Sequence, residues 1–490
     1  MSLVGGSQLV SIILGVVRLK VLAVLLGPAG IGLFGVYNVI LDLAASCAGF
    51  GVQASGVRQV AIAGSTGDRI RVARTAQVLT RLSFLLALGG CTLLVVLAGP
   101  IANTTFGDWG HAPSVALLGL ALLLRILAGA PTAIVQGSRR LGDLARMTIL
   151  GAVLNTVVAV PLALVWGEAG IVPSLVAVAL TSWLAAVWYS RKLQLDAVAV
   201  TWRETFVEAR VLLNLGFAFM ASGLLMSGAA YVIRLVIVQH SGVEAAGNYQ
   251  AAWALGGVYV GFILQAMGTD FYPRLSALVD DEQASNRLVN EQARVGLLLA
   301  GPGLLITIAL SPVVITLFYS TQFTEAVPIL RWLCLGMLLR VMAWPMGYLV
   351  LAKGLQKTFF WTEVAATAVH VGLAYWLVGM LGATGAGIAF AGLYLWHGVV
   401  IFVVVKRLTH FAWSRQNLVL GLVFLGLTSL ELAVVIFLPP GPSLVVGLAV
   451  TTLASWYSLT QLVQLMPQEW IPSSLRPLVY RLLRHRPATA

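Results

Sequence analysis

The chain has 490 residues, of which 59% are hydrophobic and only 10% are charged, and its mean hydropathy is +0.93. Because soluble domains carry about 25% charged residues, this composition excludes a soluble globular protein and predicts an integral membrane protein with many spans. We therefore interpret the net charge of +12 in terms of membrane topology before nucleic-acid binding. The three cysteines all lie inside apolar runs, so neither disulfides nor zinc sites are expected.

The first two apolar runs predict a helical hairpin that carries charge at membrane depth. Residues 3–26 contain Arg18 and Lys20, and residues 31–56 contain Asp42 near their middle. Each run exceeds the roughly 20 residues that a helix needs to cross the hydrocarbon core. No basic segment precedes the first run and no small-residue cleavage site follows it, so we expect a retained helix and not a cleaved signal peptide.

Fourteen apolar runs of spanning length follow one another along the chain, in two groups of six and a final pair. They lie at about 3–26, 31–56, 76–98, 113–135, 144–166, 170–189, 211–239, 245–269, 295–318, 326–352, 358–381, 385–405, 417–438 and 443–466. They predict an all-α integral membrane fold. Its expected parts are an N-terminal six-helix bundle at 1–190, a cytoplasmic linker at 191–210, a C-terminal six-helix bundle at 211–408, two extra transmembrane helices at 409–466 and a basic amphipathic cytoplasmic tail at 467–490.

The second group of six runs repeats the first at an offset of about 215 residues. The matched pairs are Arg18 and Arg234, Gly27 and Gly242, Gly32 and Gly247, Arg58 and Arg274, Arg125 and Arg340, and Pro131 and Pro345. Several matches at one offset indicate an internal duplication. Because six spans return the chain to its starting side, the two bundles should be related by a pseudo-two-fold axis along the membrane normal. We expect their first helices to face each other across a central cavity.

Lysine and arginine residues are concentrated in alternate loops, which predicts the orientation of the chain. With both termini in the cytoplasm, the outward loops contain a single basic residue, Arg331. The longest outward loops, 99–112 and 319–325, are expected to lack secondary structure. The tail from Trp470 to Arg486 alternates apolar groups with arginines and is predicted to lie on anionic cytoplasmic lipid.

Basic side chains inside the apolar runs carry the functional prediction. They are Arg18, Lys20, Arg81, Arg125, Arg234 and Arg340. Arg81 is near its helix end and should reach the interface. Arg125 and Arg340 precede prolines, so structural and cavity roles have equal weight for them. Arg18, Lys20 and Arg234 favour function, because Asp42 is the one intramembrane acid in the first half. His370 and His397 are candidates for a cavity or structural role, and hydrogen bonding to neighbours is favoured over proton relay.

A phosphate or diphosphate best matches a cavity with several arginines, because the guanidinium fork binds its oxygens in bidentate fashion. Inside a membrane protein, a diphosphate is most naturally a lipid headgroup. The predicted substrate-binding residues are Arg18, Lys20, Asp42, Arg58, Arg234 and Arg274. No catalytic residue, metal ligand or cofactor is predicted, although H⁺ or Na⁺ is a candidate coupling ion. The chain has no Gly-x4-Gly-Lys-Ser/Thr loop for direct use of ATP.

The hairpin, with its cationic first helix, its Gly-Pro-Ala-Gly-Ile-Gly turn and the following Asp42, resembles the polysaccharide flippases of the multidrug/oligosaccharidyl-lipid/polysaccharide exporter superfamily. The stretches 244–250, 272–276 and 347–354 are most similar to Wzx-type flippases of O-antigen and enterobacterial common antigen. The resemblance covers about residues 1–410. Members commonly have twelve spans and lipid II flippases have fourteen, so the final pair leaves the subgroup open.

The resemblance implies a flippase of the bacterial inner membrane. It would carry an undecaprenyl-diphosphate oligosaccharide, such as an O-antigen or exopolysaccharide repeat unit, from the cytoplasmic to the periplasmic leaflet by alternating access. The implied partners are this lipid-linked substrate, membrane lipids and polysaccharide assembly proteins, without nucleic acid. Two alternatives remain. A multidrug or cation antiporter of the same superfamily needs a neutral or acidic cavity, and a membrane polysaccharide polymerase or ligase needs a sizeable outward loop.

Overall fold

The computed structural model describes residues 2–65, 68–196 and 198–465, and the regular elements in these ranges are all helical. The α-helices are α1 Ser2–Ala48, α2 Val52–Ser65, α3 Arg69–Val96, α4 Ala98–Phe106, α5 Ala112–Gly137, α6 Leu141–Trp166, α7 Ile171–Arg191, α8 Trp202–Ala277, α9 Glu282–Ala309, α10 Ser311–Phe318, α11 Ala326–Ala352, α12 Gln356–Leu381, α13 Ala383–Thr409, α14 Arg415–Phe437 and α15 Pro440–Leu465. Short 3-10 helices lie at Gly167–Gly170 and Thr321–Phe323. The predicted basic tail, 467–490, lies outside the described residues.

Eleven helical segments among the described residues are long and apolar enough to cross a membrane. Three of them are double. These are Gly6–Ala48 with 43 residues, Leu141–Arg191 with 51 and Phe219–Ala277 with 59. Each is interrupted once by residues outside regular α-helical geometry. Counting each of these three as a pair gives the fourteen spans that the apolar runs predict.

Glycine breaks the first double segment of each repeat. Gly27 in α1 has φ 64° and ψ −171°, and Gly242 in α8 has φ 84° and ψ 173°. A positive φ of this kind suits glycine, which has no Cβ to clash. Each break is one residue wide. In α1 it is narrower than the four-residue turn expected at 27–30, because Pro28 has a backbone suited to the first position of the resumed helix.

The two glycine breaks are followed by a close contact between the two copies of the repeat. A Cβ at Gly32 would overlap the Val243 carbonyl oxygen and lie 3.0 Å from the Gly247 nitrogen. A Cβ at Gly247 would overlap the Pro28 carbonyl oxygen and lie 2.9 Å from the Gly32 nitrogen. The second glycine of each motif therefore lets two helix backbones touch.

The chain divides into two compact units. The first runs up to Gln250 and includes Thr316–Thr324 and Val378–Ala383. The second contains Ala251–Ile315, Glu325–Leu377 and the described chain from Thr384 onward. The division into bundles at the 191–210 linker stays a prediction. The early part of α8 stays with the first unit because it packs on α1, through the glycine contact and through a 3.1 Å hydrogen bond from the Ser227 hydroxyl to that of Ser46.

Several predicted boundaries were wrong, and a proline or a positive φ explains three of the differences. The run 31–56 ends as a helix at Ala48, because Phe50 and Gly51 have positive φ. The run 295–318 contains two helices, α9 and α10, and the outward segment 99–112 contains most of α4. Pro100 and Pro312 lie in the first turns of α4 and α10, where a missing N–H has no partner to lose. The segment 319–325 also contains a 3-10 turn.

The linker before α8 is tied to α3. The Arg81 guanidinium donates to the Val200 carbonyl at 2.7 Å and to the Thr205 hydroxyl at 3.1 Å. Arg81 therefore anchors the linker to α3, and its position at the interface stays a prediction. Thr201 and Glu204 then form a capping box that starts α8. Hydrogen bonds from the Thr201 amide and hydroxyl hold the pKa of Glu204 below its usual range.

Candidate functional site

Arg18 lines a cavity of 380 Å³ inside the first unit. Helices α1, α5, α6 and α7 enclose it. Its polar lining, besides Arg18, consists of Ser11, Thr132, Thr148, Asn155, Thr156 and Ser182. Ser11 and Arg18 are seven residues apart, which places them on one face of α1. Among the described residues, none hydrogen-bonds or pairs with the half-buried Arg18 guanidinium.

Four of the five hydroxyl groups around this cavity already donate their protons to backbone carbonyls. Ser11, Thr132, Thr148 and Thr156 each donate to the carbonyl oxygen four residues earlier, at 2.8–2.9 Å. Their oxygens can therefore only accept further hydrogen bonds. Arg18 has donors and no acceptor. Together they match a ligand that combines an anionic group with hydroxyl donors.

Lys20 has a different environment from Arg18. The two residues are two positions apart in the sequence, so their side chains point about 200° apart around the axis of α1. The Lys20 ammonium donates to the Thr316 carbonyl at 2.9 Å and to the Tyr319 carbonyl. These carbonyls lie at the end of α10, where a cation offsets the negative end of the helix dipole. Lys20 therefore has backbone hydrogen-bond partners, whereas Arg18 has no hydrogen-bond or ion-pair partner among the described residues.

Asp42 pairs with Arg125, which joins α1 to α5. The Asp42 carboxylate lies 2.6 Å from the Arg125 guanidinium, and the two side chains are 45% and 46% exposed. Accessible charges at membrane depth require water or protein rather than lipid around them. Since Asp42 is committed to Arg125, no carboxylate pairs directly with Arg18, Lys20 or Arg234 among the described residues.

Arg234 is buried, with 6% exposure, on the first part of α8. Its guanidinium donates to the Gln250 side-chain oxygen at 2.6 Å and to the Ala230 carbonyl at 3.1 Å. It also lies 5.5 Å from the centre of the Tyr249 ring. These partners are neutral, and the charge of Asp42 acts on it without a direct ion pair. The Arg234 guanidinium therefore has hydrogen-bond partners, but no carboxylate pairs with it directly among the described residues.

The predicted cationic pair just after the second span of each repeat differs in its surroundings. Arg58 lies on α2 and is exposed, without a recorded partner in the described chain. Arg274 is exposed on α8 and pairs with Asp270 at 3.0 Å. The residue at the position equivalent to Asp270 in the first repeat is Ala54. Both copies of the repeat therefore carry an arginine at this position, but only Arg274 pairs with an acidic residue among the described residues.

The remaining predicted residues meet in a separate cluster in the second unit. Arg340 lies 5.8 Å from the Tyr394 ring and interacts electrostatically with Glu363. The His397 ring lies 6.0 Å from Tyr394, and its Nδ1 has no partner in the described chain. His370 is buried against Phe390, at 5.8 Å, and its Nε2 is likewise unpaired there. Hydrogen bonding of these nitrogens to neighbours was predicted and is not observed.

Sequence reasoning missed the neutral polar residues of the site. The sequence marks Gln250 only as part of a family motif, although its side-chain oxygen accepts a hydrogen bond from Arg234. Thr148, Asn155 and Thr156 follow the helical spacing i, i+7 and i+8 on α6, so a polar stripe within an apolar run was the available signal. Tyr394 gave no such signal, because a single aromatic residue is ordinary in a membrane span.

Comparisons with known proteins match this architecture. Residues 21–328 match the sequence family described as polysaccharide biosynthesis protein. The chain is 24% identical over 400 residues to the lipid III flippase of Escherichia coli strain K12, covering 80% of this chain and 93% of that protein. The lipid III flippase of Shigella flexneri gives the same values.

Two solved structures share the fold. The lipid II flippase MurJ, in an inward closed conformation, has a TM-score of 0.74 at 13% identity, covering 95% of this chain and 99% of that one. An inward-facing multidrug resistance MATE family transporter of the MOP superfamily has a TM-score of 0.66 at 17% identity, covering 82% and 94%. The predicted fold, two pseudo-symmetric groups of six spans with a final pair, is confirmed. The relatives are flippases and transporters, so the prediction of a non-enzymatic protein is confirmed as well.

Proposed function

The chain belongs to the polysaccharide biosynthesis protein family, and from this premise we propose that it flips an undecaprenyl-diphosphate-linked oligosaccharide from the cytoplasmic to the periplasmic leaflet by alternating access. The relatives named as lipid II and lipid III flippases support a lipid-linked precursor as substrate. An O-antigen or exopolysaccharide repeat unit is the cargo that we propose.

The uncancelled positive charge of the first unit is the observation that carries the proposal. Arg18 has no partner in the described chain, Arg234 has neutral partners, and Asp42 is occupied by Arg125. Net positive charge at membrane depth is costly unless an anion visits it. A diphosphate supplies that anion, and the guanidinium groups bind its oxygens through charge-assisted hydrogen bonds.

The cavity around Arg18 fits the junction between diphosphate and sugar. Arg18 can donate to the phosphate oxygens while the threonine and serine oxygens accept from sugar hydroxyls. In this proposal Asp42 and Arg125 line the water-filled path beside it, and Arg58 attracts the headgroup at the cytoplasmic end. A cation antiporter is disfavoured, because its substrate would meet uncompensated arginines.

The proposed setting is the bacterial inner membrane, with both termini cytoplasmic. The substrate and membrane lipids are the proposed partners, together with polysaccharide assembly proteins that deliver and remove the cargo. The coupling ion, H⁺ or Na⁺, belongs to the same proposal. Arg274 remains a predicted substrate-binding residue, and Arg340, His370 and His397 remain candidates for a cavity or structural role.

Leaflet exchange in liposomes tests the function directly. Purified protein is reconstituted with a fluorescent undecaprenyl-diphosphate oligosaccharide, and the label in the outer leaflet is quenched over time. Arg18→Ala and Arg234→Ala should each slow exchange about tenfold or more, because a hydrogen bond to a charged group contributes about 1.5–3 kcal/mol.

The matched control is Arg407→Ala, which removes an exposed cation at the end of α13 and should flip normally. A monophosphate lipid sugar and a neutral glycolipid complete the panel and should move more slowly than the diphosphate. Normal exchange by both Arg18→Ala and Arg234→Ala, with folding verified by thermal unfolding, would refute the cationic mechanism. Absence of exchange for every lipid-linked sugar in the wild type would refute the function.

A further inference from the structure

Glu431 on α14 is a buried acid that has no hydrogen-bond or ion-pair partner among the described residues. Its side chain is 1% exposed, and both carboxyl oxygens lack a hydrogen-bond partner among the described residues. It lies six residues before the end of α14, inside a segment apolar enough to span the membrane. This residue belongs to the final helix pair, outside the two groups of six spans.

Two unpaired hydroxyls lie about one helical turn from this carboxyl. A Cβ built at Gly447 on α15 would lie 2.9 Å from Glu431 Oε1, so the carboxyl contacts α15 there. Thr428 precedes Glu431 by about one turn, and Thr451 follows Gly447 by about one turn. Because α14 and α15 run antiparallel, both threonines are displaced from the carboxyl toward the same end of the helix pair. Both hydroxyls are buried and have no partner in the described chain.

No described cation neutralises Glu431. Cys334 on α11 is close enough to interact with it electrostatically. Helix α15 contains no Asp, Glu, Lys, Arg or His. The charged residues of the other neighbouring helices lie elsewhere: Glu282, Arg287, Glu291 and Arg294 near the start of α9, Arg331 bonded to Ser311, Arg340 beside Tyr394, and Arg415 at the start of α14. Arg294 bonds Gln416, about 22 Å along α14 from Glu431 by helical rise.

We propose that Glu431 is a proton-binding site, which holds an exchangeable proton between α14, α15 and α9. An ionised carboxylate in this position would be an unpaired buried charge, the costliest kind of group to bury. The protonated carboxyl is neutral and avoids that cost. Release of the proton leaves a carboxylate that must reach water, which requires α14 to separate from its neighbours.

Packing and composition around the carboxyl favour a proton over a metal ion. A Cβ at Gly447 would lie 2.9 Å from the carboxyl oxygen and 2.8 Å from the Ala309 Cβ, so α14, α15 and α9 are closely packed at this point. Among the described residues, no group of three or more His, Cys, Asp or Glu side chains could hold a metal ion.

Infrared spectroscopy of the purified full-length protein tests the site without any transport assay. At neutral pH the wild type should show the carbonyl band of a protonated carboxylic acid, and Glu431→Gln should lack that band. Glu168→Gln, which changes an exposed acid in the 3-10 helix Gly167–Gly170, is the matched control and should keep it. The band should shift in D2O, because the proposed proton is exchangeable. Absence of the band in the wild type, its persistence in Glu431→Gln, or its failure to shift would each overturn the proposal.

Thermal unfolding gives a second, independent measurement. If folding takes up a proton at Glu431, the wild type loses stability as the pH rises above the usual glutamate range, about 4.3. Glu431→Gln mimics the neutral acid, so its melting temperature should exceed that of the wild type by a margin that grows with pH. Parallel pH profiles for the two proteins would contradict a buried proton. Because neither measurement involves lipid exchange, failure here leaves the proposed flippase function untouched, and failure of that function leaves the proton site standing.

Discussion

Gly32 and Gly247 occupy equivalent positions in the two repeats and lie in reciprocal contact. Each glycine lacks the side chain that would collide with the other motif: a Cβ on Gly32 would lie 3.0 Å from the Gly247 nitrogen, and one on Gly247 would lie 2.9 Å from the Gly32 nitrogen. The five-residue spacing of the two glycines in both copies thus has a physical cause. The first glycine breaks the helix with a positive φ, and the second admits the backbone of the other copy.

Gly247→Ala should destabilise the protein. The added methyl group meets the Pro28 carbonyl oxygen, and overpacking of this kind costs about 1–3 kcal/mol. Thermal unfolding in detergent measures the loss. Gly228→Ala is the control, because it lies on the same helix α8 with no atom within 4 Å of an added Cβ. Equal melting temperatures for the two variants would show that the glycine contact does not stabilise the protein.

Arg18→Lys separates charge from geometry at the cavity. Lysine keeps the positive charge but loses the planar fork that binds two phosphate oxygens together. We expect exchange of the diphosphate lipid in liposomes to fall between the rates of the wild type and Arg18→Ala. A rate equal to that of the wild type would mean that charge alone suffices, and a rate equal to that of Arg18→Ala would make the fork essential.

Lys20→Met should affect stability more than transport. The ammonium group binds the Thr316 and Tyr319 carbonyls, and its removal leaves the end of α10 without its cation. A favourable charge near a helix terminus contributes about 0.3–1 kcal/mol, and more when partly buried. The melting temperature should drop while the exchange rate of the folded fraction stays at the wild-type level. Loss of exchange without loss of stability would indicate that Lys20 binds the substrate.

Single-cysteine labelling tests the predicted topology. On a background without Cys47, Cys91 and Cys334, Asn103→Cys and Gly142→Cys should react with a membrane-impermeant thiol reagent from opposite sides. Asn103 is exposed on α4, and Gly142 has no atom within 4 Å of an added Cβ. Gly107 is unsuitable, because its φ of 79° strains any other residue. Labelling from the same side would refute the alternation that the Lys/Arg distribution predicts.

The positions of the spans could be predicted from the sequence, whereas the ends of several helices could not. Hydropathy located the spans well, since crossing a membrane imposes a length on every helix. It placed the end of the run 295–318 wrongly, because an apolar proline such as Pro312 continues the hydropathy signal while it starts a new helix. The compact unit that holds the start of α8 extends to Gln250, because this part of α8 packs on α1, and a polar linker in the sequence does not reveal such packing.

The sequence by itself determined the membrane class, the fourteen spans, the duplication and the unusual number of cations at membrane depth, because composition, period and offset are properties of the chain alone. Only the tertiary structure decided which cations have partners: Arg125 takes Asp42, Lys20 binds helix carbonyls, and Arg18 faces hydroxyl groups. Such partners lie on different helices, many residues apart along the chain. Whether they meet depends on the rotation and depth of each helix in the packed bundle, and no local pattern encodes that.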